Sequence, residues 1–184
     1  MLTLASCKKE SSEIPQVYQE NVAEANFIKS ETAIIKLEPK SQELVKNWSE
    51  YQKVSELVSS YQEITLSDAL LNSAELEELA RHLKDSIRVD KLNVPAVRMR
   101  LNVFHNETLR LADMSTIPVI TEDEVRFTNN KIIESFSALN SKLNNLNRRE
   151  QLNSELSNFI QEQSNSRDSL RFSRDEETVS DSLE

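Results

Sequence analysis

The sequence predicts an all-α protein, an elongated up-down bundle of about four helices with a long or bent C-terminal helix and disordered tails. Three observations favour this class. Glycine is absent from all 184 residues, and the tight hairpin turns of sheet proteins depend on glycine for positive φ. Apolar residues recur at spacings of three and four, as on one face of a helix. They make up 38% of the chain against 29% charged residues, which favours thin bundles over a compact sphere.

Three helices are predicted between residue 41 and residue 113. The first covers about residues 41–62, with an apolar stripe made of Leu44, Trp48, Tyr51, Ser55 and Val58. The second, at about residues 67–87, is the most apolar, so we place it centrally. The third has Asn93 as a cap and Pro95 in its first turn, where the missing N–H costs nothing. The aromatic residues Trp48, Tyr51 and Phe104 fall on these stripes, and we expect them in the core.

A fourth helix is predicted to start at a capping box formed by Thr121 and Glu124. Its first stripe consists of Val125, Ile132, Phe136, Leu139, Leu143 and Leu146. A second stripe of Leu152, Leu156, Phe159 and Ile160 then lies a quarter turn or more around the helix. The change of phase predicts either a bend or break near Asn147 or one continuous helix of about 60 Å. It also predicts self-association or a helical partner for the last segment.

These patterns divide the chain into four parts. Residues 1–7 form a truncated signal remnant, and residues 8–40 form a tether that is partly helical, with an extended stretch around Ile34 and Leu37. Residues 41–163 form the helical bundle. Residues 164–184 are polar and mixed in charge, so we expect a disordered acidic tail.

The N-terminus contains the short motif Leu4-Ala5-Ser6-Cys7. Small residues before a single cysteine, followed by a polar run, resemble the lipobox of bacterial lipoproteins. The resemblance implies that a diacylglycerol is attached to the Cys7 thiol and that the signal peptide is cut just before it. Cys7 is therefore the one site residue predicted, as a lipid-attachment cysteine.

The resemblance implies a protein of the bacterial cell envelope that is membrane-anchored and extracytoplasmic. A complete secretory signal has a basic region and an apolar run of about 7 to 15 residues, whereas no basic residue precedes Cys7. We therefore expect the natural start to lie upstream of Met1. The alternative is a cytosolic helical adaptor or regulator in which Cys7 is incidental.

Charge and composition disfavour several function classes. The net charge of −9 repels nucleic acid at long range, so we expect no nucleic-acid partner. Without glycine there is no phosphate-binding loop or dinucleotide fingerprint. No serine stands at a recognisable spacing from a residue that could act as its catalytic base. We expect a structural or protein-interaction role, no enzymatic activity and no cofactor.

The two histidines are the remaining candidates for chemistry. His82 follows Glu78 by one helical turn, which loosely resembles metal-binding bundles, but those use a Glu-x-x-His pattern twice. We therefore expect a surface ion pair here and a partly exposed His105 without a helical-spacing carboxylate partner. A metal-binding bundle built around His82 remains the less favoured alternative.

Overall fold

The computed structural model describes residues 27–87 and 89–180, with side chains as far as residue 167. It is built from six helices and one small sheet within this range. The elements in chain order are β1 (Phe27–Lys29), α1 (Pro39–Val45), α2 (Ser49–Ser60), β2 (Glu63–Thr65), α3 (Leu66–Leu71), α4 (Ser73–Asp85), α5 (Pro95–Met114) and α6 (Glu122–Ser180). A short 3-10 turn at Asp90–Leu92 precedes α5. The prediction of an all-α protein is confirmed.

The small sheet was not predicted. Strands β1 and β2 pair antiparallel, with Ile28 opposite Ile64, and both of these side chains are buried. Two strands alone are marginal in water, so this sheet depends on the helices beneath it.

Two of the predicted helices are each divided into two. The first is broken at residues 46–48, where Trp48 leaves helical geometry and becomes the N-cap of α2. This break buries the indole, whose Nε1 donates to Ser86 Oγ at 3.1 Å. The second is broken at Asn72, between α3 and α4. Tertiary packing therefore overrides a continuous helical pattern at both places.

Helix α6 is continuous from Glu122 to Ser180. Its start is the predicted capping box, since Glu124 N donates to Thr121 Oγ1 and Thr121 N donates to Glu124 Oε2. At 59 residues it is about 88 Å long, so of the two alternatives the continuous helix is the observed one.

We expected a disordered tail from residue 164, and residues 164–180 have helical backbone that continues α6. Extending an existing helix costs far less than nucleating one, and the chain has no proline after Pro118 to stop it. Residues 181–184 lie outside the described part of the chain.

The core lies between α2, α4, α5 and the first half of α6. Helix α6 contacts α1, α2, α3 and α5, whereas α4 contacts α2, α3 and α5. The predicted helix over residues 67–87 corresponds to α3 and α4, which together contact α2, α5 and α6, although Leu71 is 77% exposed. Trp48, Tyr51, Phe104 and Phe136 are all buried, with neighbouring ring centroids 5.4 to 5.9 Å apart, so the predicted aromatic core is confirmed.

Candidate interaction surface

An extended segment, residues 30–38, lies along α6 and takes its hydrogen bonds from helix side chains. Ser137 Oγ accepts from Ile35 N at 3.2 Å, and Asn140 Nδ2 donates to Ile35 O at 2.8 Å. Asn144 makes two bonds, donating to Lys36 O at 3.0 Å and accepting from Glu38 N at 2.9 Å. This segment has no sheet partner, so the backbone groups that face α6 need such bonds. The described part of the predicted tether, residues 27–40, therefore belongs to the folded body, and residues 8–26 lie outside the described residues.

The order of these contacts gives the extended segment a direction. Successive residues of the segment bond to successively later residues of α6, from Ser137 to Asn144. Glu38 then pairs with Arg148, one helical turn further along α6. The segment thus runs parallel to α6. The chain consequently enters the bundle near the beginning of α6, and the far half of α6 leaves the bundle at the opposite end.

The bundle ends near Glu150. Leu146 is the last apolar side chain of α6 packed against the core, and Glu150 Oε1 pairs with Lys91 Nζ at 2.5 Å. Glu150 stands where the core-facing stripe of α6 would continue, and this ion pair at the bundle edge replaces further apolar packing. Every described side chain from residue 152 to residue 167 is exposed. The distal half of α6 therefore projects beyond the core, with its described side chains from residue 152 onward exposed.

The projecting half carries a row of apolar side chains, which we call the distal stripe. Its members are Leu152, Leu156, Phe159 and Ile160, each between 57% and 59% exposed. Scattered exposed apolar residues are ordinary, but a contiguous set on one helix face marks a contact surface. The distal stripe is the strongest candidate for a functional surface in the described chain.

A second group of exposed apolar side chains lies at the other end of the bundle. It consists of Phe27, Leu71, Ile117 and Val119. These side chains come from a strand, a short helix and a loop, and they form no periodic stripe. Single exposed apolar residues of this kind are common on soluble surfaces.

The two histidines lie on helices α4 and α5. His82 Nε2 is 3.5 Å from Glu78 Oε1, with both side chains more than half exposed, so the predicted surface pair is confirmed. His105 is more enclosed than expected, because its Nε2 lies 2.9 Å from Glu77 Oε1 on α4. Its Nδ1 lies 3.4 Å from Lys84 Nζ, an ammonium that can only donate.

The partners of His105 come from a neighbouring helix, which is why sequence spacing could not indicate them. Among the described residues, no three His, Cys, Asp or Glu side chains are grouped closely enough to hold a metal ion. The pair of Glu77 and His105 links α4 to α5.

A groove of about 500 Å³ separates the extended segment from α2. Its lining includes Ile34, Leu37, Tyr51 and Asn140. Tyr51 OH donates to Asn140 Oδ1 at 2.8 Å, and burial raises the pKa of Tyr51 above its ordinary value. The phenol therefore stays protonated and bonded within the protein, and the groove floor serves packing.

The predicted lipid-attachment residue Cys7 lies outside the described residues. Within them, none of the helices combines the length and the apolarity needed to cross a bilayer. No protein-family model matches the sequence, and no curated protein or solved structure matches it either.

Proposed function

We propose that this protein is a lipid-anchored, extracytoplasmic helical module whose role is to bind another protein chain. The observation that carries the interaction role is the projecting half of α6 with its exposed distal stripe. The anchor rests on Leu4-Ala5-Ser6-Cys7, which resembles a bacterial lipobox. A thiol followed by a polar run is what lipid attachment at this motif requires.

The path of the chain supports combining the two features. The N-terminal segment joins the bundle near the start of α6, because the extended segment runs parallel to that helix. From residue 130 to residue 180, α6 covers about 75 Å. An anchor at Cys7 therefore connects to the bundle at the end near the start of α6, and the distal stripe lies at the opposite end.

Metabolic labelling tests the anchor. Bacterial cells producing the protein from its natural gene start are grown with an alkyne fatty acid, and the purified protein is coupled to a fluorescent azide. We expect labelled protein in the membrane fraction and no label on Cys7→Ser, because the thiol is the only attachment point for a thioether-linked lipid. Unlabelled native protein in the soluble fraction would overturn the anchor and favour a cytosolic adaptor.

Affinity capture tests the interaction role on the same cells. Intact protein is compared with Leu156→Asp, which places a charge in the centre of the distal stripe, and with Ser154→Asp, which places it on another face of the same helix. We expect Leu156→Asp alone to lose the bound chain. Equal capture by all three proteins would contradict a role for the distal stripe.

A further inference from the structure

We propose that the occupant of the distal stripe is a second copy of this chain, bound as a parallel two-stranded coiled coil. The inference deepens the proposed function and rests on it, since it names the partner of the same surface. It is argued from the phase of the stripe, its heptad spacing and the charges on its flanks.

The distal stripe points away from the bundle. On α6, Ala138, Asn145, Leu152 and Phe159 follow one another at intervals of seven residues and so share one face. Ala138 and Asn145 are exposed on the bundle half of the helix, whereas Leu139 and Leu143 face the core. Two α6 helices can therefore meet at the distal stripe with each bundle on the outer side.

The stripe has the spacing of a coiled-coil seam. Leu152, Leu156, Phe159 and Gln163 are separated by four, three and four residues, which places them at alternating d and a positions. A parallel, in-register pair stacks each residue on its counterpart, so the glutamine amides meet each other. A single polar residue at an a position is a known means of fixing register and dimeric state.

Flanking charges favour the parallel arrangement. Glu162 is at a g position and Arg167 at the following e position, so in a parallel pair each glutamate faces the arginine of the second copy. In the antiparallel pair that matches Leu156 with Phe159, Glu155 faces Glu162 of the second copy. That arrangement also buries Gln163 against Leu152. The parallel pair avoids both the repulsion between glutamates and the burial of an unpaired glutamine amide.

The seam is short, which sets the strength of the association. Arg149 occupies the a position before Leu152, and its charge keeps two helices apart at the bundle edge. Three apolar side chains per copy in the seam, with Ile160 beside them, form an interface smaller than the ~1,200 Å² typical of stable complexes. Free copies therefore associate weakly, and shared attachment to one membrane raises their effective concentration and aligns them in parallel.

Cysteine crosslinking tests the geometry in the full chain carrying Cys7→Ser. Gln163→Cys places a thiol in the seam, and Gln161→Cys places one on the outer face of the same helix turn. Under mild oxidation we expect covalent dimer from Gln163→Cys and monomer from Gln161→Cys. Equal crosslinking of the two variants would overturn the proposal, as would a Gln163→Cys chain that pairs only with Leu152→Cys.

Charge reversal gives an independent readout by analytical ultracentrifugation. In the parallel pair, Glu162→Arg brings two arginines together, so we expect a dissociation constant raised by roughly tenfold. Combining it with Arg167→Glu should restore the native value. In the antiparallel pair the single change removes a repulsion, so tighter association of Glu162→Arg would overturn the parallel arrangement.

The two proposals fail separately. Dimers of the Cys7→Ser protein together with unlabelled native protein would remove the anchor and keep the coiled coil. Fatty-acid labelling without any crosslink at Gln163→Cys would keep the anchor and remove the second copy as partner. In that second case, capture of a different chain by the distal stripe would leave the proposed function intact.

Discussion

Asn140 is the buried amide through which α6 holds two other parts of the chain. Its Oδ1 accepts from Tyr51 OH on α2, and its Nδ2 donates to Ile35 O in the extended segment. The side chain is 2% exposed. Removal of the amide therefore leaves Tyr51 OH and Ile35 O without the partner that Asn140 provides.

We expect Asn140→Ala to lower the free energy of unfolding by roughly 1–3 kcal/mol for each buried group left without a partner. Urea denaturation followed by circular dichroism measures the loss. Asn145→Ala on the same helix is the matched control, because Asn145 is exposed and surface substitutions usually stay within about 0.5 kcal/mol. Equal stability of the two variants would contradict the bonding described for Asn140.

Glu124 gives a prediction that depends on pH. Hydrogen bonds from the Thr121 side chain and backbone lower the pKa of Glu124 below its ordinary value. A depressed carboxyl pKa contributes stability that is present above the unfolded-state pKa and is lost as pH falls through the folded-state pKa. The capping box should therefore stabilise α6 at neutral pH and lose this contribution in acid.

Thr121→Ala should raise the Glu124 pKa towards its ordinary value, which carboxyl-carbon NMR titration measures directly. The stability difference between the native protein and this variant should narrow on acidification below the ordinary glutamate pKa. Thr116→Ala, in the preceding loop, serves as the control. An unchanged Glu124 titration in Thr121→Ala would contradict the assigned cause of the pKa shift.

At the scale of elements, the extended segment is the part that sequence reasoning placed least well. Ser137, Asn140 and Asn144 recur at helical spacing among apolar neighbours, and the asparagines are poor helix formers. That cost is offset because their side chains replace the sheet partner that residues 33–38 lack. Polar residues at helical spacing within an apolar stripe could have indicated a buried partner for α6. They could not identify it, because the bonded segment lies more than 100 residues earlier in the sequence.

Deletion of the extended segment should therefore unfold the bundle. A chain that lacks residues 1–38 exposes the polar face of α6 and loses Ile28 from the core. We expect thermal unfolding without a cooperative transition, measured by circular dichroism. A chain that lacks residues 1–26 keeps every contact described here and should retain its cooperative transition. Cooperative unfolding of both deletions would show that residues 27–38 are only a tether.

At the scale of the whole molecule, the sequence could predict the all-α class and the change of stripe on α6, because both depend on local periodicity. It could not predict where helices break, since Trp48 leaves helical geometry in favour of a tertiary contact with Ser86. The continuation of α6 beyond residue 163 was also missed. The polar composition there predicted disorder, while the helix nucleated in the bundle extends through it.

The long helix divides the molecule into a folded body and a projecting arm. Shortening the helix should show whether the arm contributes to folding or only to association. A chain that ends at Gln151 keeps Leu146 in the core and the ion pair of Glu150 with Lys91. Its thermal midpoint should match that of the full chain at low concentration, because no described contact with the body is removed. Its helical signal per molecule should fall, and the concentration dependence of its sedimentation should disappear with the distal stripe.

A lowered midpoint at low concentration would mean that the arm packs on the body, and the stripe would then be part of the fold. An unchanged midpoint with lost association would assign the arm to binding alone.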